Sequence, residues 1–110
     1  MTDRHENARL SIGQFGRLSQ LSRKALRLYD ERGLLVPAWT DPASGYRYYT
    51  RAQVDVARRI RLLRTMEMPL EGIAAVLAAW AADEARAQRL IRAHVNRVET
   101  QLATAQLVAR

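Results

Sequence analysis

Cysteine is absent from this chain of 110 residues. Disulfides, thiolate metal sites and iron–sulfur clusters are excluded together, and the absence fits a reducing compartment, the cytoplasm. Histidine is scarce, and His5 and His94 lie too far apart in sequence to read as a metal pair; His94 is expected at the surface. No Ser/His/Asp set and no phosphate-cradling glycine loop is present, so the residues point away from an enzyme and require neither cofactor nor metal. No apolar run approaches the ~18 residues of a membrane helix. The opening Met1–Leu10 is polar and charged, without the apolar stretch of a secretion signal, and is expected to be a disordered leader.

What is present is arginine and enough apolar surface for a core. Hydrophobic residues make up 48% of the chain, which excludes wholesale disorder, and the net charge is +7. The charge is uneven. Residues 1–70 hold 13 Lys or Arg against 7 Asp or Glu, a balance of +6, whereas residues 71–110 hold 5 against 4, a balance of +1. A basic first part on a near-neutral second part suggests a polyanionic partner met by the first part alone.

Helix starts are well marked. Ser11-Ile12-Gly13-Gln14 reads as a capping box opening a short helix that buries Ile12, Phe15 and Leu18. Ser19-Gln20 is a turn, Ser22 is a second N-cap, and Gly33 is a natural stop for a helix over Arg23–Arg32. Two short helices across a tight turn form a helix-turn-helix pattern. Leu34–Trp39 is extended, Thr40–Gly45 is dense in turn formers, and Tyr46-Arg47-Tyr48-Tyr49 favours a strand, so a small hairpin wing follows. Thr50-Arg51-Ala52-Gln53 is another capping box, opening a helix to about Met66. Pro69 fits the first turn of a fourth helix running to Trp80. From there Ile91, Val95, Val98, Leu102, Ala105 and Ala109 are spaced four, three, four, three, four, a heptad seam. A helix over Asp83–Leu107 would be roughly 36 Å long at 1.5 Å per residue, longer than anything in the chain that would cover it. The expected architecture is mainly α: a leader over 1–10, a winged helix-turn-helix over 11–81, and a coiled-coil dimerisation helix over 82–110.

On the second helix, Ala25, Leu26 and Tyr29 can face the core while Arg23, Lys24, Arg27 and Leu28 face out. A helix fits the major groove, and Arg on the O6 and N7 of guanine is the commonest specific contact. Arg23, Lys24 and Arg27 are therefore candidate base readers. Strand residues alternate in direction, so the wing is expected to turn Tyr46 and Tyr48 inward and to set Arg47 and Tyr49 on phosphate and sugar. Arg58, Arg59, Arg61 and Arg64 of the third helix can flank the backbone.

These residues resemble the MerR family of bacterial transcription regulators. Leu10–Trp80 follows its DNA-binding domain: Ser11-Ile12-Gly13, then Leu21 through Leu35, then Gly45-Tyr46-Arg47-Tyr48-Tyr49. The phrase Asp41–Tyr49 looks most like the drug-responsive branch, of the BmrR and TipA type. The resemblance implies DNA contacts from Ser22, Arg23, Lys24, Arg27, Leu28, Tyr29, Arg47, Tyr48, Tyr49, Arg58, Arg61 and Arg64. It also implies an antiparallel dimerisation coiled coil seamed by Ile91, Val95, Val98, Leu102 and Ala105. Family homodimers bind a pseudo-palindromic operator in the promoter, then bend and untwist the −35/−10 spacer for RNA polymerase, a specificity built partly on DNA deformation. The effector part of such regulators, beyond the coiled coil, is expected to be absent from this chain.

Three positions depart from the family pattern. Leu28 stands where a tyrosine is usual and offers only an apolar contact. Gln20 occupies a turn position often taken by Gly. Glu67 and Met68 precede Pro69 where a Gly and a capping Thr or Ser are frequent. Alternatives are an excisionase-like or developmental architectural DNA-binding protein without an effector, of which the excisionase type usually lacks the long helix, and a coiled-coil interaction protein, which leaves the basic helix and wing unexplained. The seam itself is testable: the chain is expected to run as a dimer in light scattering, and Leu102→Glu as a monomer.

Overall fold

The computed structural model describes residues 9–109, so residues 1–8 of the expected leader lie outside the described residues. Arg9 and Leu10 belong to the fold. Leu10–Ser11 forms strand β1, followed by α1 (Ile12–Ser19), α2 (Arg23–Glu31), β2 (Trp39–Thr40), β3 (Arg47–Tyr49), α3 (Arg51–Thr65), α4 (Leu70–Ala82) and α5 (Glu84–Val108). The chain divides into two compact units at Leu63/Arg64. That division falls ahead of the functional boundary expected after residue 81, because α4 packs along α5.

In the first unit the sheet order is β1-β3-β2, all antiparallel, with Leu10 opposite Tyr49 and Trp39 opposite Tyr48. The capping box at Ser11 is complete: Gln14 N–H donates to Ser11 Oγ at 3.2 Å, and Ser11 N–H donates to Gln14 Oε1 at 2.9 Å. Ser22 Oγ accepts from Ala25 N–H at 3.0 Å, starting α2. Gly33, at φ +68°, ends it in the left-handed conformation that glycine adopts without a Cβ penalty. Between the helices Gln20 takes φ 60°, so a residue with a Cβ carries the left-handed turn at some cost in strain. The glycine that the turn requires is Gly16, where a Cβ would stand 3.0 Å from the Leu21 carbonyl oxygen. The box at Thr50 is also complete, and Gln53 Nε2 donates onward to Val36 O at 2.7 Å, pinning the extended segment to α3.

The core of this unit is Phe15, Leu26, Tyr29, Leu35, Tyr49, Val54, Ala57, Ile60 and Leu63, all buried. At its centre the Phe15 and Tyr49 rings stack with centroids 4.1 Å apart and planes 8° apart. Tyr49 is fully buried, and its hydroxyl has no hydrogen-bond partner. Burial, reinforced by the nearby Asp30 charge, holds the phenol above its ordinary pKa and keeps it neutral.

In the second unit α4 starts at Pro69, whose φ of −61° suits a helix entry but which supplies no side-chain cap. Glu67 adopts φ 58°, the conformation a glycine would take freely. Met68 folds over Gly72, where a Cβ would meet Met68 Cγ at 3.1 Å. Ile73, Val76 and Ala79 of α4 are buried, as is Ala87 of α5. His94 is not at the surface as expected: it is buried, with Nε2 2.6 Å from Met66 O. A carbonyl only accepts, so Nε2 carries the proton, and the ring ties α5 to the α3–α4 connection. Along the seam Ile91, Val95 and Val98 are half-buried, while Leu102 is 58% exposed and Ala105 is also exposed.

The buried Tyr49 hydroxyl generates a prediction. Tyr49→Phe removes an unsatisfied polar atom and is expected to stabilise the fold by about 1 kcal/mol. Tyr49→Ala removes half of the ring stack and is expected to cost about 3–5 kcal/mol. Denaturant melts of the two variants check both signs.

Candidate nucleic-acid interface

Helix α2 is nine residues long, and its two faces separate cleanly. Leu26 and Tyr29 are buried and Ala25 is half-buried, whereas Arg23, Lys24, Arg27 and Leu28 are exposed. The outward four lie at i, i+1, i+4 and i+5, the spacing of one helical face. Ser22 is exposed at the N-cap with its Oγ engaged by Ala25 N–H. Tyr29, expected among the contact residues, is buried. Its carbonyl accepts from Leu34 N–H at 2.8 Å, which fixes the exit of α2.

The wing reverses part of the expected alternation. Tyr46 is 67% exposed and Tyr49 fully buried, so Tyr46 points out and Tyr49 points in. The side of β3 that carries Arg47 and Tyr49 faces the helices: Tyr49 stacks on Phe15, and Arg47 Nε lies 3.0 Å from Asp30 Oδ2. Tyr48 lies on the other side, half-buried, with its ring 5.4 Å from that of Trp39. The Arg9 guanidinium covers Trp39 at 4.1 Å from the ring. At the wing tip Asp41 accepts from Ala43 N–H at 2.9 Å, and Gly45 turns the chain at φ +77°. The Ala43 amide holds the Asp41 carboxyl below its ordinary pKa.

Between α1, α2 and the wing is an open cleft of about 450 Å³ lined by Ser11, Ile12, Gly13, Arg17, Arg23, Tyr46, Arg47 and Tyr48. Three guanidinium groups therefore border one concavity, an arrangement suited to anions. Arg23 reaches across to α1, where a Cβ on Gly13 would stand 3.4 Å from Arg23 Nη2. Arg17 was missed in the sequence; its signal is an exposed cation on the outer face of the first helix of a helix-turn-helix. Arg58 is engaged within the fold. Its Nε and Nη2 donate to Leu18 O at 3.2 and 3.1 Å, satisfying the end of α1. Arg61 is exposed on α3. In the second unit Arg64 Nη1 donates to Met68 O at 2.8 Å. Among the described residues no cluster of three or more His, Asp or Glu is placed to hold a metal ion, and no helix is long and apolar enough to cross a membrane.

The contact made by Arg58 is testable. Arg58→Ala is expected to cost about 1 kcal/mol of stability by leaving the end of α1 uncapped, seen as a lower Tm.

Comparison with known proteins agrees with this geometry. The family profile described as "MerR HTH family regulatory protein" matches residues 10–80. The transcriptional regulator BrlR of Pseudomonas aeruginosa is 48% identical over 64 residues, which is 58% of this chain and 24% of BrlR. The multidrug-efflux transporter 1 regulator of Bacillus subtilis is 44% identical over 61 residues, 56% of this chain and 22% of that protein. The chain thus spans about a quarter of the length of either relative. Among solved structures, that of EcmrR in an EcmrR–DNA complex superposes with a TM-score of 0.70 at 27% identity, over 87% of this chain and 34% of that one.

Proposed function

The chain belongs to the MerR family of helix-turn-helix regulators, and from that membership and its basic face we propose that it binds promoter DNA as a homodimeric, cytoplasmic transcription regulator. The observation that carries the reading is the outward row Arg23, Lys24, Arg27 and Leu28 beside a cleft bordered by Arg17, Arg23 and Arg47. In this reading α2 enters the major groove. Arg23, Lys24 and Arg27 read base edges, and Leu28 meets an apolar edge such as a thymine methyl. Arg47, Tyr48 and the exposed Tyr46 hold phosphate and sugar, with Ser22 at the helix entry and Arg61 flanking the backbone, while Arg58 and Arg64 are engaged on protein carbonyls. Tyr29 and Tyr49 serve from the core by holding α2 and the wing. Functionally, residues 11–81 bind DNA and residues 82–110 dimerise, with Ile91, Val95, Val98, Leu102 and Ala105 covered by a second copy.

Two chains so joined meet two half-sites of a pseudo-palindrome, and regulation proceeds by bending and untwisting the −35/−10 spacer for RNA polymerase. The two relatives named above are a transcriptional regulator and a multidrug-efflux regulator, which supports placement near the drug-responsive branch.

Arg27→Ala tests the reading. It is expected to cost about 1–3 kcal/mol on the selected operator and to flatten base preference at one position per half-site. Fluorescence anisotropy on the operator and on single-base variants measures both. Unchanged preference at every position would remove Arg27 from the readers.

A further inference from the structure

Within this DNA-binding reading, on which the inference rests, one acidic residue stands out. Asp30 lies with Glu31 in the last turn of α2, a helix whose earlier turns present Arg23, Lys24 and Arg27; Glu31 is exposed, whereas Asp30 is half-buried. Two simple electrostatic effects oppose an acid there. A negative charge near a helix C-terminus meets the negative end of the helix dipole, and a carboxylate beside a nucleic-acid surface repels phosphate. Yet Asp30 is turned toward the wing, its side chain 20% exposed, with Oδ2 3.0 Å from Arg47 Nε. Arg47 is in turn two residues from the fully buried Tyr49 and lines the cleft with Arg17 and Arg23.

We propose that Asp30 is a positioning residue for DNA binding: by holding Arg47 at Nε it locks the wing to the reading helix and directs the terminal nitrogens of Arg47 to one backbone phosphate in the cleft. The chemistry lies in the shape of the guanidinium. Its donors form a rigid planar fork, so an acceptor fixed on Nε leaves the Nη edge in a defined direction. A lysine at this place would offer a single point charge with no second edge. The carboxylate also offsets the mutual repulsion of three guanidinium groups around one concavity when no phosphate is present. A partly exposed ion pair of this kind adds little to stability, so the effect of Asp30 is expected in binding rather than in folding.

The experiment is a double-mutant cycle on duplex binding by the full chain, read by anisotropy across a salt series on the operator and on a non-operator duplex. If only net charge matters, Asp30→Asn removes a like charge and tightens binding. The positioning role gives the opposite: a loss on the order of fivefold on both duplexes, a smaller salt slope, and an unchanged Tm. Because Asp30 acts through Arg47, Asp30→Asn is expected to produce no further loss in an Arg47→Ala background. Asp30→Glu is expected to recover most of the affinity. Arg47→Lys keeps the charge, loses the fork and is expected to match Asp30→Asn; it carries the test should Asp30→Asn not fold. Binding of Asp30→Asn as tight as the wild type, or an equal loss with and without Arg47, would overturn the inference and leave the DNA-binding reading standing. A wild-type chain that binds no duplex would overturn both.

Discussion

The parallel stack of Phe15 on Tyr49 is the contact on which the first unit depends. One ring comes from the first helix and the other from the central strand of a sheet whose strands are only two or three residues long. Strands that short cannot hold a sheet by backbone bonds alone, so burial of side chains must do it. The stack fixes the side of β3 that faces the helices, and this places Arg47 against Asp30 two residues earlier. It also fixes α1, whose Gly16 lets the chain pass close enough to start α2 at Ser22. The exposed cations of α2 and Arg47 on the wing are thus held in one register by a pair of rings buried in the core.

The charges around that scaffold are divided between binding and folding. Arg23, Lys24 and Arg27 project outward, and Arg17, Arg23 and Arg47 gather at the cleft. Arg58 instead satisfies a helix end through Leu18 O, and Arg64 donates to Met68 O. Counting basic residues would treat all of these alike. Geometry separates those placed to meet phosphates from those whose hydrogen bonds already serve the backbone, and only the first group should set the salt dependence of binding.

The parts of this fold encoded locally were legible in the sequence. Ser11 with Gln14, Ser22, Thr50 with Gln53, and Gly33 mark helix ends through contacts within a few residues, and each took its expected position. The outward face of α2 was legible for the same reason, since the helical period decides it. Tyr46 and Tyr49 were not: a three-residue strand has a period but no phase, and its inward side was set by Phe15, far away in sequence. His94 was misplaced because its partner is a backbone carbonyl 28 positions earlier. The positive φ angles of Gln20 and Glu67 show the converse case. There the fold imposes a left-handed turn on residues whose local preference opposes it.

The central claim is that this scaffold offers α2 and the wing to duplex DNA in two symmetric copies. Hydroxyl-radical footprinting of the chain on DNA selected from a random duplex pool tests it most directly. The account predicts two protected half-sites related by a dyad, on one face of the duplex, fading steeply as salt rises. A single unsymmetric footprint, or protection that survives high salt unchanged, would contradict it.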